Sequence, residues 1–181
     1  MRGQTRLTFA RCGVVDPLSV EDYVAHGGLR GLKRALEIGY AATIAEITQS
    51  GLRGRGGAGF PAGIKWKGAA EAQADRKYVV CNADEGDSGT FADRMLMEGD
   101  PMSLIEGIAI AAFAIGASKA FVYSRSEYPH ANAIFAKALA AVRATGGLGA
   151  HAFGPNHPFD IELRIGAGAY VCGEETALLE S

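Results

Sequence analysis

Residues 77–87 read KYVVCNADEGD, a short β-branched run that stops abruptly at an amide and three carboxylates. A run of that length and composition predicts a buried strand over Lys77–Cys81, with a polar loop at its carboxyl end. Two further runs, KAFVY at 119–123 and the alternating FDIELRI at 159–165, predict two more strands. The segments between them carry helical patterns. Residues as far as Met97 read as a continuation of the loop. Pro101 then suits the first turn of a helix reaching about Ile115, apolar nearly all round and therefore buried. Residues 128–143 place Ala131, Ile134, Phe135, Leu139 and Val142 on one helical face, closed by Gly146 and Gly147. A last helix begins at Glu174. This alternation predicts an α/β fold, a Rossmann-like parallel sheet flanked by helices with right-handed crossovers.

Upstream, residues 20–37 mix apolar and charged positions at helical spacing, interrupted at Gly27, Gly28 and Gly31. Residues 41–50 give a second short helix with Ile44 and Ile47 inward, and Gly51 fits its C-terminal cap. Another helix starts at about Ile64. Residues 1–50 thus read as a helical lead, and residues 51–181 as the α/β domain.

The composition narrows the function classes. The chain has 181 residues and a net charge of −2, but residues 1–67 carry ten Lys/Arg against five Asp/Glu, and residues 68–181 eight against fifteen. No long basic stripe accompanies a positive total, which disfavours nucleic-acid binding. The three cysteines, Cys12, Cys81 and Cys172, are far apart, so neither a disulfide framework nor a complete metal site is expected. The longest apolar stretch, Leu104 to Ile115, is too short to span a bilayer, and residues 1–13 lack a signal-peptide pattern. A cytoplasmic setting without direct membrane insertion follows as the default.

Ligands of parallel sheets sit beyond the carboxyl ends of the strands. Those ends are followed here by residues 82–87, 124–127 and 166–173, two of them rich in glycine or acid. A fourth segment, GLRGRGGAGFPAGIKW at 51–66, contains a literal G-x-G-x-x-G at Gly54, Arg55, Gly56, Gly57, Ala58 and Gly59. A dinucleotide fingerprint should follow a strand, whereas a helix is expected before this one. It reads either as a flexible connector or as a loop whose backbone lies against a planar anionic ligand, with Arg53, Arg55 and Lys65 adding positive charge.

The acids of Asn82–Asp87 suit ribose hydroxyls, a metal, or simply a solvated turn. Those at Glu174 and Glu175 are also good helix starters. No histidine–cysteine metal spacing and no G-x-S-x-G elbow is present. What remains is a set of polar loops without an acid/base pair, which suits hydride transfer, where a cofactor supplies the chemistry and the protein the positioning.

Taken together, GLRGRGGAGFPAGIKW, NADEGDSGTFADR, IEGIAIAAFAIGA, YSRSEYPHA and GAGAYVCGEETALLES resemble, in this order, the FMN- and NADH-binding flavoprotein subunit of respiratory NADH dehydrogenase, the complex I 51 kDa family. That family has diaphorase relatives in NAD-linked hydrogenases and formate dehydrogenases. NADEGDSGTFADR, with HGGLRGLKRAL ahead of it, looks most like the beta subunit of soluble NAD-dependent formate dehydrogenase. The resemblance implies that Gly54, Arg55, Gly56, Gly57, Ala58 and Gly59 lie along FMN with Lys65 assisting, and that Asn82, Asp84 and Glu85 also line the flavin. It implies that Phe60 stacks on the adenine of NADH and that Asp87 holds ribose hydroxyls. Tyr170, Gly173, Glu174 and Glu175 complete the site, with Glu175 and Tyr170 as catalytic candidates facing the nicotinamide.

The family's [4Fe-4S] cysteines and an Asn-Asn segment near the FMN phosphate have no counterpart in these 181 residues, so the chain resembles an N-terminal fragment. The implied partners are a thioredoxin-like [2Fe-2S] subunit and a larger iron–sulfur subunit, such as a molybdenum formate dehydrogenase subunit. A complex I setting would place the assembly peripherally on a membrane.

Overall fold

The computed structural model describes residue 3 and residues 5–87, 89–169 and 171–181, with the side chain of Glu175 excluded. Three strands, β1 (Tyr78–Ala83), β2 (Lys119–Arg125) and β3 (Asp160–Gly166), form a parallel sheet in the order β1-β2-β3. The register pairs Ala83 with Ser124 and Ser124 with Ile165, so all three strands end along one edge. The α/β class and parallel sheet match the expectation.

Eight helices accompany this sheet among the described residues: α1 (Val20–Ala25), α2 (Arg30–Ile38), α3 (Tyr40–Gln49), α4 (Ala62–Glu71), α5 (Ala92–Gly99), α6 (Pro101–Ile115), α7 (Pro129–Ala144) and α8 (Glu175–Glu180). Helix α6 is the centre of the core. Its residues Met102, Ile105, Ile108, Ala109 and Ala112 are buried against the inward residues of the sheet and of α7, notably Val122, Ile161 and Phe135. Asp100 caps it, accepting from the Ser103 amide, and Pro101 occupies its first turn.

Four local expectations need correction. Residues 92–99 form α5, not loop. Strand β1 is not buried on both faces: Tyr78 and Val80 are 48% and 42% exposed, because β1 is an edge strand with one uncovered face. On α3 the buried residue is Thr43, which donates to the Gly39 carbonyl at 2.8 Å, while Ile44 and Ile47 are only half-buried. Gly31 does not interrupt a helix but lies inside α2, where an added Cβ would sit 3.0 Å from Glu106 Oε1. The true break is at Gly27 and Gly28, and a Cβ on Gly28 would overlap the Tyr23 ring.

Residues 11–32 are tied to the start and middle of α6 through two buried carboxylates, Asp100 and Glu106. Glu106, 8% exposed, accepts from the Tyr23 hydroxyl at 2.5 Å and from the Leu29 and Leu32 amides at 2.9 Å each. Arg11 pairs with the buried Asp100 at 2.9 Å and lies 4.8 Å from the Tyr23 ring centre. Burial raises the Asp100 carboxyl above the usual range, with Arg11 opposing.

The second face of the sheet carries Tyr78, Val80, Phe121, Lys119, Glu162 and Arg164. Tyr78 and Phe121 rings lie 6.0 Å apart, and Lys119 and Arg164 both pair with Glu162 while approaching Phe121.

Candidate functional site

The glycine segment leaves α3 through Ser50 and Gly51, whose positive φ of 68° caps the helix as expected. It then closes on itself. Arg53 bridges Pro61, the Gly54 amide donates to the Phe60 carbonyl at 2.9 Å, and Arg53 Nη1 reaches the Gly59 carbonyl at 2.9 Å. The enclosed residues Arg55, Gly56, Gly57 and Ala58 are exposed, with Gly57 and Gly59 at φ 109° and 61°. Phe60 is 54% exposed, and Lys65 stands in the first turn of α4. Among the described residues neither Arg55 nor Lys65 has a salt-bridge partner. Because a helix precedes the segment, it is not a Rossmann fingerprint. The loop instead offers exposed backbone amides beside unpaired cations, a combination suited to an anionic planar group.

The strand-end loops meet at the carboxyl edge of the sheet. Asn82 Nδ2 donates to the Cys172 carbonyl at 2.7 Å, joining the end of β1 to the segment after β3, and the Asp84 amide donates to Asn82 Oδ1 at 3.0 Å. Asp84 is 4% exposed, and desolvation raises its carboxyl with Arg125 opposing. Glu85 adopts a positive φ of 39°. Its carboxylate accepts from the Asp93 and Arg94 amides at 3.0 and 3.2 Å, capping α5, and from the Tyr128 hydroxyl at 3.2 Å. Asp87 is exposed. Gly173 is exposed as well, and Glu174 caps α8 by accepting from the Thr176 and Ala177 amides, bonds that lower its carboxyl.

Tyr170 lies outside the described residues, as does the Glu175 side chain, although its backbone opens α8. The structure thus brings Asn82, Asp84, Glu85 and the segment ending at Cys172 together. Among the described residues no hydrogen bond joins them to the glycine loop.

One group at this edge escaped the sequence reading. Arg125, the last residue of β2, donates from Nη1 to the Glu85 carbonyl at 2.7 Å and from Nη2 to Glu127 at 2.9 Å, which pushes the Glu127 carboxyl down to about 2. Among the described residues, Ser124 Oγ, Arg125 Nε and Asn132 Oδ1 are buried here without a protein hydrogen-bond partner. Polar atoms buried without partners are uncommon, and these supply two donors, Ser124 Oγ and Arg125 Nε, and one acceptor, Asn132 Oδ1, a mixed set compatible with the polar edge of a flavin. Two surface grooves lie elsewhere, one between α1 and α2 and one of about 570 Å³ between α3 and α4. Among the described residues no cluster of three metal-ligating side chains occurs, and no helix is long and apolar enough to cross a membrane.

Fold and edge together define a parallel α/β protein with a glycine loop and an acidic strand-end loop suited to a nucleotide-type cofactor. Residues 47–181 match the Nuo51 FMN-binding domain, and the chain belongs to the complex I 51 kDa flavoprotein family. It is 52% identical over 178 residues to the NADP-reducing hydrogenase subunit HndC of Solidesulfovibrio fructosivorans, covering 98% of this chain and 36% of that protein. It is 46% identical over 153 residues to the mitochondrial NADH-ubiquinone oxidoreductase 51 kDa subunit of Neurospora crassa, covering 82% and 31%. A crystal structure of an air-oxidized NAD+-reducing [NiFe]-hydrogenase superposes with a TM-score of 0.74 at 33% identity, covering 98% of this chain and 27% of that one. The chain therefore spans less than half the length of these relatives.

Proposed function

We propose that this chain forms part of the FMN- and dinucleotide-facing wall of an NADH dehydrogenase-type flavoprotein, with residues 51–181 as the cofactor-binding part and residues 1–50 as a helical lead. The observation that carries the reading is the match of residues 47–181 to an FMN-binding domain. When bound, FMN supplies hydride exchange with NAD(H) and the one-electron steps toward iron–sulfur clusters. The chain's own residues bind and orient. The amides and glycines of 54–59 lie along the flavin, with Arg55 and Lys65 drawing its negative charge. Asn82, Asp84 and Glu85 line a second side, Gly173 and Glu174 a third, and Tyr170 and Glu175 face the nicotinamide. Phe60, exposed beside the loop, stacks on the adenine, and Asp87 accepts from ribose hydroxyls.

The partners in this reading are a thioredoxin-like [2Fe-2S] subunit and a larger iron–sulfur subunit, in a cytoplasmic or membrane-peripheral assembly. The family's [4Fe-4S] cluster belongs to sequence outside these 181 residues. As parent complex, NADEGDSGTFADR and HGGLRGLKRAL favour a formate dehydrogenase that reduces NAD+. The 52% identity to a hydrogenase subunit favours a hydrogenase diaphorase as the second reading.

The test is reconstitution. The purified chain is incubated with FMN, freed of excess by gel filtration, and examined for flavin absorbance and for FMN released on denaturation. A yellow protein releasing FMN is expected. A chain that stays colourless overturns the flavin role for these residues and leaves only docking to a partner subunit.

A further inference from the structure

We propose that Arg125 and Tyr128 are positioning residues that lock the far limb of the acidic loop, Glu85 to Asp87, in the conformation that meets a dinucleotide. The inference rests on reading that loop as part of the FMN and NAD(H) site.

Glu85 holds a φ of 39°, a region that side chains with a Cβ seldom occupy and that persists only where the surroundings over-determine it. The surroundings do so here. Arg125 Nη1 fixes the Glu85 carbonyl at 2.7 Å, and the Tyr128 hydroxyl fixes its carboxylate at 3.2 Å. The same carboxylate takes the Asp93 and Arg94 amides of α5.

Arg125 is itself held before any ligand arrives. Glu127 pairs with Nη2 at 2.9 Å, the guanidinium lies 5.2 Å from the Tyr128 ring centre, and Asn132 Nδ2 donates to the Arg125 carbonyl at 2.9 Å. A planar guanidinium serves two acceptors and a ring face at once, which an ammonium does not. The near limb of the loop is anchored separately, Asn82 on the Cys172 carbonyl and the Asp84 amide on Asn82. Loss of the clamp should therefore release Glu85 to Asp87 while leaving Asn82 and Asp84 in place.

Arg125→Ala, Arg125→Lys and Tyr128→Phe test this in two ways. In the chain without cofactor, amide hydrogen exchange at Asp93 and Arg94 should quicken about tenfold in Arg125→Ala and Tyr128→Phe as the Glu85 cap loosens, with α6 amides unchanged. In the FMN-loaded protein, Arg125→Ala should raise KM for NADH about tenfold, equivalent to one lost charge-assisted hydrogen bond, with a smaller effect on kcat. Arg125→Lys should recover part of that loss.

Unchanged exchange at Asp93 and Arg94 overturns the clamp. So does a parallel fall in FMN content, kcat and thermal midpoint with KM unaltered, which marks a merely structural role. Should Arg125→Ala fail to fold, Tyr128→Phe, which keeps the buried ring, decides. A wild-type chain that takes up no FMN refutes the proposed function, yet the exchange measurement still decides the clamp.

Discussion

At the scale of single residues, Asp84 shows how the site draws on stability. Its carboxyl is nearly sealed from water and raised by that burial. A carboxyl that binds its proton more tightly in the folded chain stabilises the fold below its unfolded pKa, and that contribution is lost as pH rises through the folded value. Asp84→Asn removes the dependence. The variant should gain thermal midpoint relative to the wild type as pH rises from 4 to 7, by a few °C at most, while binding FMN less well. A variant midpoint that falls relative to the wild type over the same interval would contradict the assignment. Asp87→Asn should raise the NADP(H)/NAD(H) preference about tenfold in steady-state kinetics, because a carboxylate repels the extra phosphate. Glu175→Gln should alter NADH turnover while sparing FMN content, measured by flavin release. Asn82, Asp84 and Glu85 were legible as a polar group after a strand. Arg125 was not, because an arginine in a short loop reads as solvated, and the carbonyl it serves lies forty positions earlier.

At the scale of elements, two helices begin in the same unusual way. Both α2 and α5 have a left-handed residue at the N-cap, Leu29 at φ 60° and Phe91 at φ 54°, and neither cap has a side-chain bond of its own. A carboxylate away from the cap position completes each start, Glu106 of α6 for α2 and Glu85 of the preceding loop for α5. This explains why α5 was missed in the sequence: Phe91 offers no oxygen where Ser, Thr, Asp or Asn would announce a helix, and its cap comes from Glu85, six positions further back in the same loop. Helix α6, with Asp100 and Pro101 at its start, was legible throughout. Glu106→Ala should orphan the Tyr23 hydroxyl and two amides and cost roughly 3 kcal/mol or more by denaturant unfolding, whereas Glu106→Gln, keeping an acceptor, should cost less. The crossing of α3 and α4 depends on Gly63, where a Cβ would lie 2.3 Å from Thr48 Oγ1 and 2.7 Å from its Cα. Gly63→Ala should cost about 1–3 kcal/mol. Thr48→Ala should rescue it only in part, since the backbone contact remains.

For the whole molecule, the three strands and their parallel sense were legible because the alternation of strands and helices leaves few alternatives. The open face was not, because KYVVC has the composition of a strand buried on both sides. All-parallel sheets usually have both faces covered, so Tyr78 and Val80 stand out as apolar groups facing water, with Phe121 half-buried beside them. Tyr78→Lys and Val80→Lys should leave the unfolding free energy within about 1 kcal/mol and raise solubility; loss of folding would show that these side chains support the core. The same face bears on how the purified chain is judged. Binding of the dye ANS is ordinarily taken as a sign of a molten, loosely packed state. Here a fully native chain should brighten the dye on Phe121 and its neighbours, so near-ultraviolet circular dichroism, which reports fixed aromatic packing, is the sounder criterion of whether a given preparation has folded.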